Sequence, residues 1–288
     1  PVSVRVIRDI HTELMRGVRG GRLQPGELRT SQNWIGPAGC TLDTATFVPP
    51  PHHLVSGALG DLEKFLHAGD DLPPLVKIAL AHVQFETIHP FLDGNGRVGR
   101  LLITFLLTER GVLHKPVLYL SHFFKQHRQE YYEHLQAVRL RGEWERWLAF
   151  FLRGVVEVAG EAAETSRRIQ RLREDHRVAI TAQLGRAAGN GHKVLESLFD
   201  RPIVSVNEVK EKTGTTYAAA NALVGRLVSL GILSEMTGYA RNRRFRYAPY
   251  IALFNDAGPA DPATDIVEFQ ITYAPILSFP RFAGAGTC

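Results

Sequence analysis

A helically spaced apolar stretch, Pro73 to Ile88, runs into the segment His89 to Arg100, HPFLDGNGRVGR, and a second helical stretch follows from about Arg97 to Arg110. Pro90 stops the first helix, while Gly94 and Gly96 open a short loop before the second, so the chain reads here as helix, glycine loop, helix. This layout suits an anion. The glycines let backbone N–H groups converge without a Cβ in the way, and the first N–H groups of a helix have no partner inside it. Arg97 and Arg100 stand three residues apart on one face and can add charge-assisted forks to a polyphosphate. Asp93 offers a hard oxygen of the kind Mg²⁺ prefers, with phosphate oxygens and water completing the shell. His89, with an ordinary pKa of about 6.5, is mostly neutral at pH 7 and can accept a proton from a hydroxyl.

Around this segment the first 160 residues read as a helical bundle. Val6, Ile10, Leu14 and Met15 have helical spacing, and Gly17, Gly20 and Gly21 close that element. From Arg29 to Pro51 short β-prone runs, punctuated by Gly36-Pro37 and Gly39 and ended by a triple proline, read as a hairpin. Helical patterns recur over His53 to Ala68, Ser121 to Arg139 and Glu143 to Ala159. Taken alone, His89 reads as a capping or packed histidine and Asp93 as a helix cap. His82 and Glu86 read as buried structural groups, and Phe123, Phe124, Tyr131 and Tyr132 as core rather than as walls of a base pocket. Tyr119 is an automodification candidate that its neighbours do not support.

The segment HPFLDGNGRVGR matches the signature HPFx(D/E)GNGRxxR of the Fic (Fido) family at every fixed position. The resemblance runs from about Val2 to Val156 and includes FETIHPF, the WIG of the hairpin, SHFFKQHRQEYYEHLQAV and GEWERWLAFFL. It implies a protein adenylyltransferase that moves AMP from ATP to a Ser, Thr or Tyr hydroxyl of a target protein, with release of pyrophosphate. By the same resemblance His89 is the base and Asp93 the Mg²⁺ ligand. Gly94, Asn95 and Gly96 line the phosphate site, with Asn95 in the α-phosphate anion hole. Arg97 and Arg100 hold the β- and γ-phosphates, and Phe91 anchors the core. The hairpin, through Thr30, Ser31, Trp34 and Ile35, resembles the flap that pairs with the target backbone. Relatives that phosphorylate carry a Lys near Gly96, which this chain lacks, so phosphotransfer ranks third. The second reading is a nucleotide-sensing regulator that binds DNA.

The resemblance also implies a brake, a Ser/Thr-x-x-x-Glu-Gly/Asn helix whose Glu pairs with the second motif arginine. Thr264 and Glu268 have that spacing, but Phe269 follows. Pro1 falls in an already helical register, so the expectation is that an upstream segment carrying the brake is missing and Arg100 is free for ATP.

Beyond residue 160 the sequence changes character. Residues 161–189 form a charge-dense helical connector and residues 190–255 a winged helix-turn-helix. Its signs are a helix from His192 to Phe199, a capping box at Ser205 and Glu208, and turns at Gly214 and Gly231. Strand-like runs at Ile232–Met236 and Arg244–Tyr247 complete it. Arg241, Arg243, Arg244 and Arg246 are candidate DNA contacts, with Thr216, Tyr217 and Asn221 on the second helix. Residues 256–288 have no assignable role. The formal charge of +5 favours phosphate contact without telling a nucleotide from nucleic acid. Two cysteines, Cys40 and Cys288, with no C-x-x-C spacing, argue against a disulfide framework. No apolar run approaches the roughly 18 residues of a membrane span. The expected class is therefore mainly α and cytoplasmic; the expected partner is a target protein, and the candidate partners are DNA or a docked protein at the winged helix and a second copy of the chain.

Overall fold

The computed structural model describes residues 1–17, 24–37, 39–69, 71–113, 120–239 and 241–255. Tyr119, Gly20, Gly21, Thr264, Glu268 and the 256–288 tail lie outside the described residues. The chain divides into two compact units, the first Pro1–Arg171 and the second beginning at Leu172.

The first unit is a helical bundle built around a helix with almost no solvated face. Its order is α1 (Val4–Leu14), α2 (His52–His67), α3 (Pro74–Ile88), α4 (Asn95–Glu109), α5 (Leu120–Gln126), α6 (Arg128–Arg141) and the part of α7 (Trp144–Leu184) up to Arg171. α3 buries Ile78, Ala79, Ala81, Val83, Phe85 and Ile88, the pattern of a helix enclosed on all sides. It packs along α4, which supplies Val98, Leu102 and Leu106, and against Leu59, Leu62 and Leu66 of α2. Phe123, Phe124, Tyr131, Trp147 and Phe151 close the far side as an aromatic cluster. Those aromatics are core, as expected, whereas Tyr132 is 49% exposed.

Several elements differ from their sequence reading. The hairpin is reduced to a single antiparallel bridge, Ile35 to Phe47, with N–H···O distances of 2.9 and 3.0 Å. Side-chain bonds take the place of further strand pairing on both sides of it. Gln32 donates to the Pro49 carbonyl at 2.9 Å, and Gln136 of α6 donates to the Thr46 carbonyl at 2.6 Å. The stretch from Ser121 to Arg139 breaks at His127 into α5 and α6. The helix expected to stop near Ala159 continues as one 41-residue element to Leu184. Its C-terminal residues Ile180 and Leu184 are buried in the second unit's core, which accounts for apolar positions that look sparse when read as a solvated connector.

The second unit contains α8 (Ala188–Asp200), β1 (Ile203–Ser205), α9 (Val206–Thr213), α10 (Tyr217–Ser229), β2 (Ser234–Glu235), β3 (Arg244–Arg246) and α11 (Ala248–Asn255). The antiparallel sheet has the order β1-β3-β2. Both predicted caps form: the Ser205 hydroxyl accepts from Glu208 N–H while Glu208 bonds back to Ser205, and Gly214 closes α9 in the left-handed conformation. β1 escapes the sequence reading because three residues carry too little periodicity to register. Among the described residues no helix is long and apolar enough to cross a membrane.

Candidate functional site

His89 sits immediately beyond α3 in the left-handed region, φ 49° and ψ 63°, while its N–H still donates to Phe85 at 3.0 Å. For a non-glycine residue this conformation costs about 1 kcal/mol, so surrounding bonds must hold it. Arg29 does so. Arg29 is 2% exposed and its guanidinium is surrounded by carbonyls: Nε donates to His89 at 2.9 Å, and the terminal nitrogens donate to Ile88, Ser31 and Pro50. The negative end of α3 stabilises the buried positive charge. The Arg29 N–H donates in turn to Pro90 at 2.9 Å.

The next carbonyls are satisfied from behind as well. Phe91, fully buried, accepts from Asn33 at 3.0 Å and from Asn95 at 2.7 Å, and returns its N–H to the Asn95 side-chain oxygen at 2.8 Å. The Asp93 carbonyl takes a hydrogen bond from His11 at 3.0 Å. The carbonyls of Ile88, His89, Pro90, Phe91 and Asp93 are thus all engaged, by α1, the 29–33 segment and Asn95. The Asn95 amide, expected in an anion hole, is spent on the loop itself, which leaves its backbone N–H, with that of Gly96, as the unpaired start of α4.

Gly94 must be glycine twice over. Its φ is +81°, and a Cβ there would lie 2.8 Å from the Met15 sulfur and 3.2 Å from His11 Nε2. At Gly96 a Cβ would meet Arg100 Nη1 at 3.1 Å, so the Arg100 guanidinium lies over the first turn of α4. Arg97 reaches Asp93 at 3.6 Å, and both are partly exposed. Two motif arginines and two free N–H groups therefore gather at one helix N-terminus, an arrangement that binds polyphosphate. Among the described residues no cluster of three or more His, Cys, Asp or Glu side chains forms a metal site. Asp93 alone fits Mg²⁺ brought in on a nucleotide. Gly94 N–H holds one carboxylate oxygen at 2.6 Å, and the side chain remains 44% exposed to take a cation that phosphate and water also ligate.

Burial pulls the His89 pKa down to about 4, opposed in part by the Glu86 carbonyl, while the Arg139 and Arg29 guanidiniums push it further down. The imidazole is thus neutral at pH 7. Nδ1 is buried, turned toward that carbonyl without a hydrogen bond of normal geometry, so Nε2 is the nitrogen a ligand can reach. Behind it lie two further buried groups. His82 donates from Nδ1 to Gly99 at 3.0 Å and accepts from Tyr131 at 2.9 Å, so it is a structural group with both nitrogens occupied. Glu86 is buried with one carboxylate oxygen unpartnered, and desolvation raises its pKa to about 7 despite Arg100 and Arg139. Arg139 ties α6 to this end of α3, bonding Glu86 O at 2.9 Å and Thr87 Oγ1 at 3.2 Å while stacking over Phe47 at 3.7 Å.

In the segment expected to act as a flap, Thr30, Ser31 and Trp34 are exposed and Ile35 is half-buried. In the second unit Arg241, Arg244 and Arg246 are exposed, but Arg243 is not free: it donates to Asn221 Oδ1 at 2.8 Å and approaches Glu235 at 3.8 Å. Thr216 is occupied as the cap of α10. Sequence reasoning missed His11, Arg29, Asn33 and Arg139, which act only through contacts distant in the chain and carry no local pattern.

Residues 1–107 match the family model described as Fic/DOC family. Among curated proteins, the chain is 33% identical over 138 residues to "Protein adenylyltransferase Fic" of Aedes aegypti, covering 47% of this chain and 24% of that protein. It is 41% identical over 69 residues to a probable protein adenylyltransferase of Aquifex aeolicus, covering 24% of this chain and 22% of that one. The chain thus spans about a quarter of the length of the curated relatives it matches. A Fic family protein from Desulfovibrio desulfuricans superposes with a TM-score of 0.51 at 21% identity, over 85% of this chain and 68% of that one, a likeness of fold. The Fic/DOC likeness thus covers residues 1–107, the stretch that contains the His89–Arg100 loop.

Proposed function

We propose that the first unit transfers AMP from Mg²⁺-bound ATP to a hydroxyl of a target protein and releases pyrophosphate. The observation that carries this reading is a neutral His89 at the mouth of a loop whose carbonyls are held from behind, beside two arginines at a helix N-terminus. A passive nucleotide sensor needs the glycines and Arg97, but it has no use for a base held in a strained backbone.

In this reading the α4 N-terminus and Arg97 and Arg100 take the polyphosphate, and the flap residues Thr30, Ser31, Trp34 and Ile35 hold the target chain in extended form. His89 Nε2 accepts the proton of the target hydroxyl as its oxygen bonds to the α-phosphorus. The bond from that phosphorus to the bridging oxygen breaks, and the pyrophosphate carries the electron pair away. Asp93 would hold Mg²⁺, which when bound neutralises phosphate charge. Anionic phosphates near His89 raise its pKa from the value set by burial toward working pH, where a general base is most effective. Incubation with ATP labelled at the α-phosphate, followed by mass spectrometry, tests the proposal: an AMP adduct supports it, and a bare phosphate adduct or no adduct sinks it.

For the second unit we propose a winged helix-turn-helix in which β2 and β3 form the wing. The exposed Arg241, Arg244 and Arg246 support contact with DNA phosphates. Mobility shifts with random duplex at rising salt test that contact.

A further inference from the structure

We propose that His11 is a positioning residue for the Asp93 carboxylate and so for the cation that accompanies the nucleotide, an inference that rests on the functional reading above. His11 lies on α1, 82 residues from Asp93, and is fully buried. Its tautomer follows from its partners. Gly26 N–H can only donate, and it reaches Nδ1 at 2.7 Å, so the ring proton is on Nε2 and is given to the Asp93 carbonyl at 3.0 Å. The ring is also stacked on Phe91 of the motif, with centroids 3.8 Å apart and a 2° tilt, so it cannot swing away.

The Asp93 carbonyl and the Gly94 N–H belong to one rigid peptide plane and point in opposite directions. Fixing the carbonyl toward His11 therefore aims the N–H away from it, and that N–H is the group that holds Asp93 Oδ1 at 2.6 Å. Gly94 adds nothing to restrain this plane, because its φ of +81° is one glycine visits freely. His11 supplies the missing restraint. Through one peptide group it sets the carboxylate rotamer, keeping Oδ1 on the loop and turning Oδ2 to the side where Arg97 stands at 3.6 Å.

Two substitutions separate this role from mere packing, since each keeps one of the two hydrogen bonds. In His11→Gln the amide nitrogen takes the place of Nε2 and still donates to Asp93; in His11→Asn the side-chain oxygen takes the place of Nδ1 and still accepts from Gly26. Both lose the same stacked ring. The measurement is calorimetric binding of ATP with and without Mg²⁺, which gives the factor by which the cation strengthens binding, with melting temperatures taken alongside. H11N is expected to lose about tenfold of that factor, the equivalent of one oriented buried hydrogen bond, while metal-free ATP binding stays within about twofold. H11Q is expected to keep the cation factor within about twofold of the unaltered protein. Equal cation factors for H11N and H11Q, or a loss of the factor in H11Q, overturn the inference. If H11N fails to fold, H11Q alone decides by the same criterion. If the unaltered protein binds no Mg-ATP, the functional reading itself falls and this inference with it.

Discussion

The His89–Arg100 loop and the arginine-bearing β2–β3 region, the proposed wing, are both polar, basic and glycine-punctuated, yet the fold treats them in opposite ways. In the loop, α1 and the segment from Arg29 to Asn33 satisfy the carbonyls from behind, and the backbone N–H groups of Asn95 and Gly96 begin α4 with no partner inside the helix, beside Arg97 and Arg100. In the wing, one of four arginines turns inward: Arg243 bonds Asn221 of α10 and approaches Glu235, so two of the expected DNA-facing groups hold each other. A ligand site differs from a merely charged surface in that its bonding capacity is used from one side only. Counting charges does not distinguish the two; counting partners does.

The largest effect that would break this contrast is on the base. His89→Ala should lower AMP transfer by roughly 10²- to 10⁴-fold while ATP binding and melting temperature change little, because the buried Nδ1 makes no hydrogen bond of normal geometry that its deletion would break. A variant that still labels its target would make the loop a sensor. Next comes Gly94→Ala, which forces an L side chain to φ +81° and drives a Cβ against Met15 and His11. A stability loss of about 3 kcal/mol by denaturant titration is expected, with loss of ATP binding. An alanine variant as stable as the parent would show that the loop is less tightly braced than these distances indicate.

Glu86 sharpens the comparison through pH. Its pKa rises from 4.5 in the unfolded chain to about 7 in the fold because of burial, so the folded state holds the proton more tightly. Its contribution is therefore complete below pH 4.5 and lost as pH rises through about 7, an amount of order 3 kcal/mol. Glu86→Gln should remove that decline, so that the variant gains on the parent between pH 5 and pH 8 in parallel unfolding titrations. Parallel curves for the two would mean that Arg100 or Arg139 keeps Glu86 ionised. The smallest effects lie in the wing. Arg244→Ala and Arg246→Ala should each lower the salt dependence of duplex binding by about one phosphate contact. Arg243→Ala should leave that slope unchanged and cost roughly 0.5–1 kcal/mol of stability.

Much of the fold was legible because it is local. The helix starts and stops around His89, Ser205, Gly214 and Gly231 follow from residue chemistry within four positions, and they appear where that chemistry puts them. The hairpin was over-read. β-prone residues between Arg29 and Pro51 suggested paired strands, but Gln32 and Gln136 supply side-chain bonds that replace ladder pairing, and among the described residues only Ile35 and Phe47 form a bridge there. α7 was under-read for the opposite reason, since its second half is covered by only a few apolar contacts from the second unit's core.

By itself the sequence determined the helix–loop–helix at His89–Arg100 and the chemical kinds gathered there, because glycines, a proline and paired arginines act on their immediate neighbours. Only the tertiary structure decided which of those groups are free. Asn95 is consumed by Phe91, His89 is made neutral by burial, and Asp93 is aimed by a histidine 82 residues away. Such facts depend on what packs behind the loop, and hydrogen-bond partners brought together by a folded core leave no periodicity in the chain from which to read them.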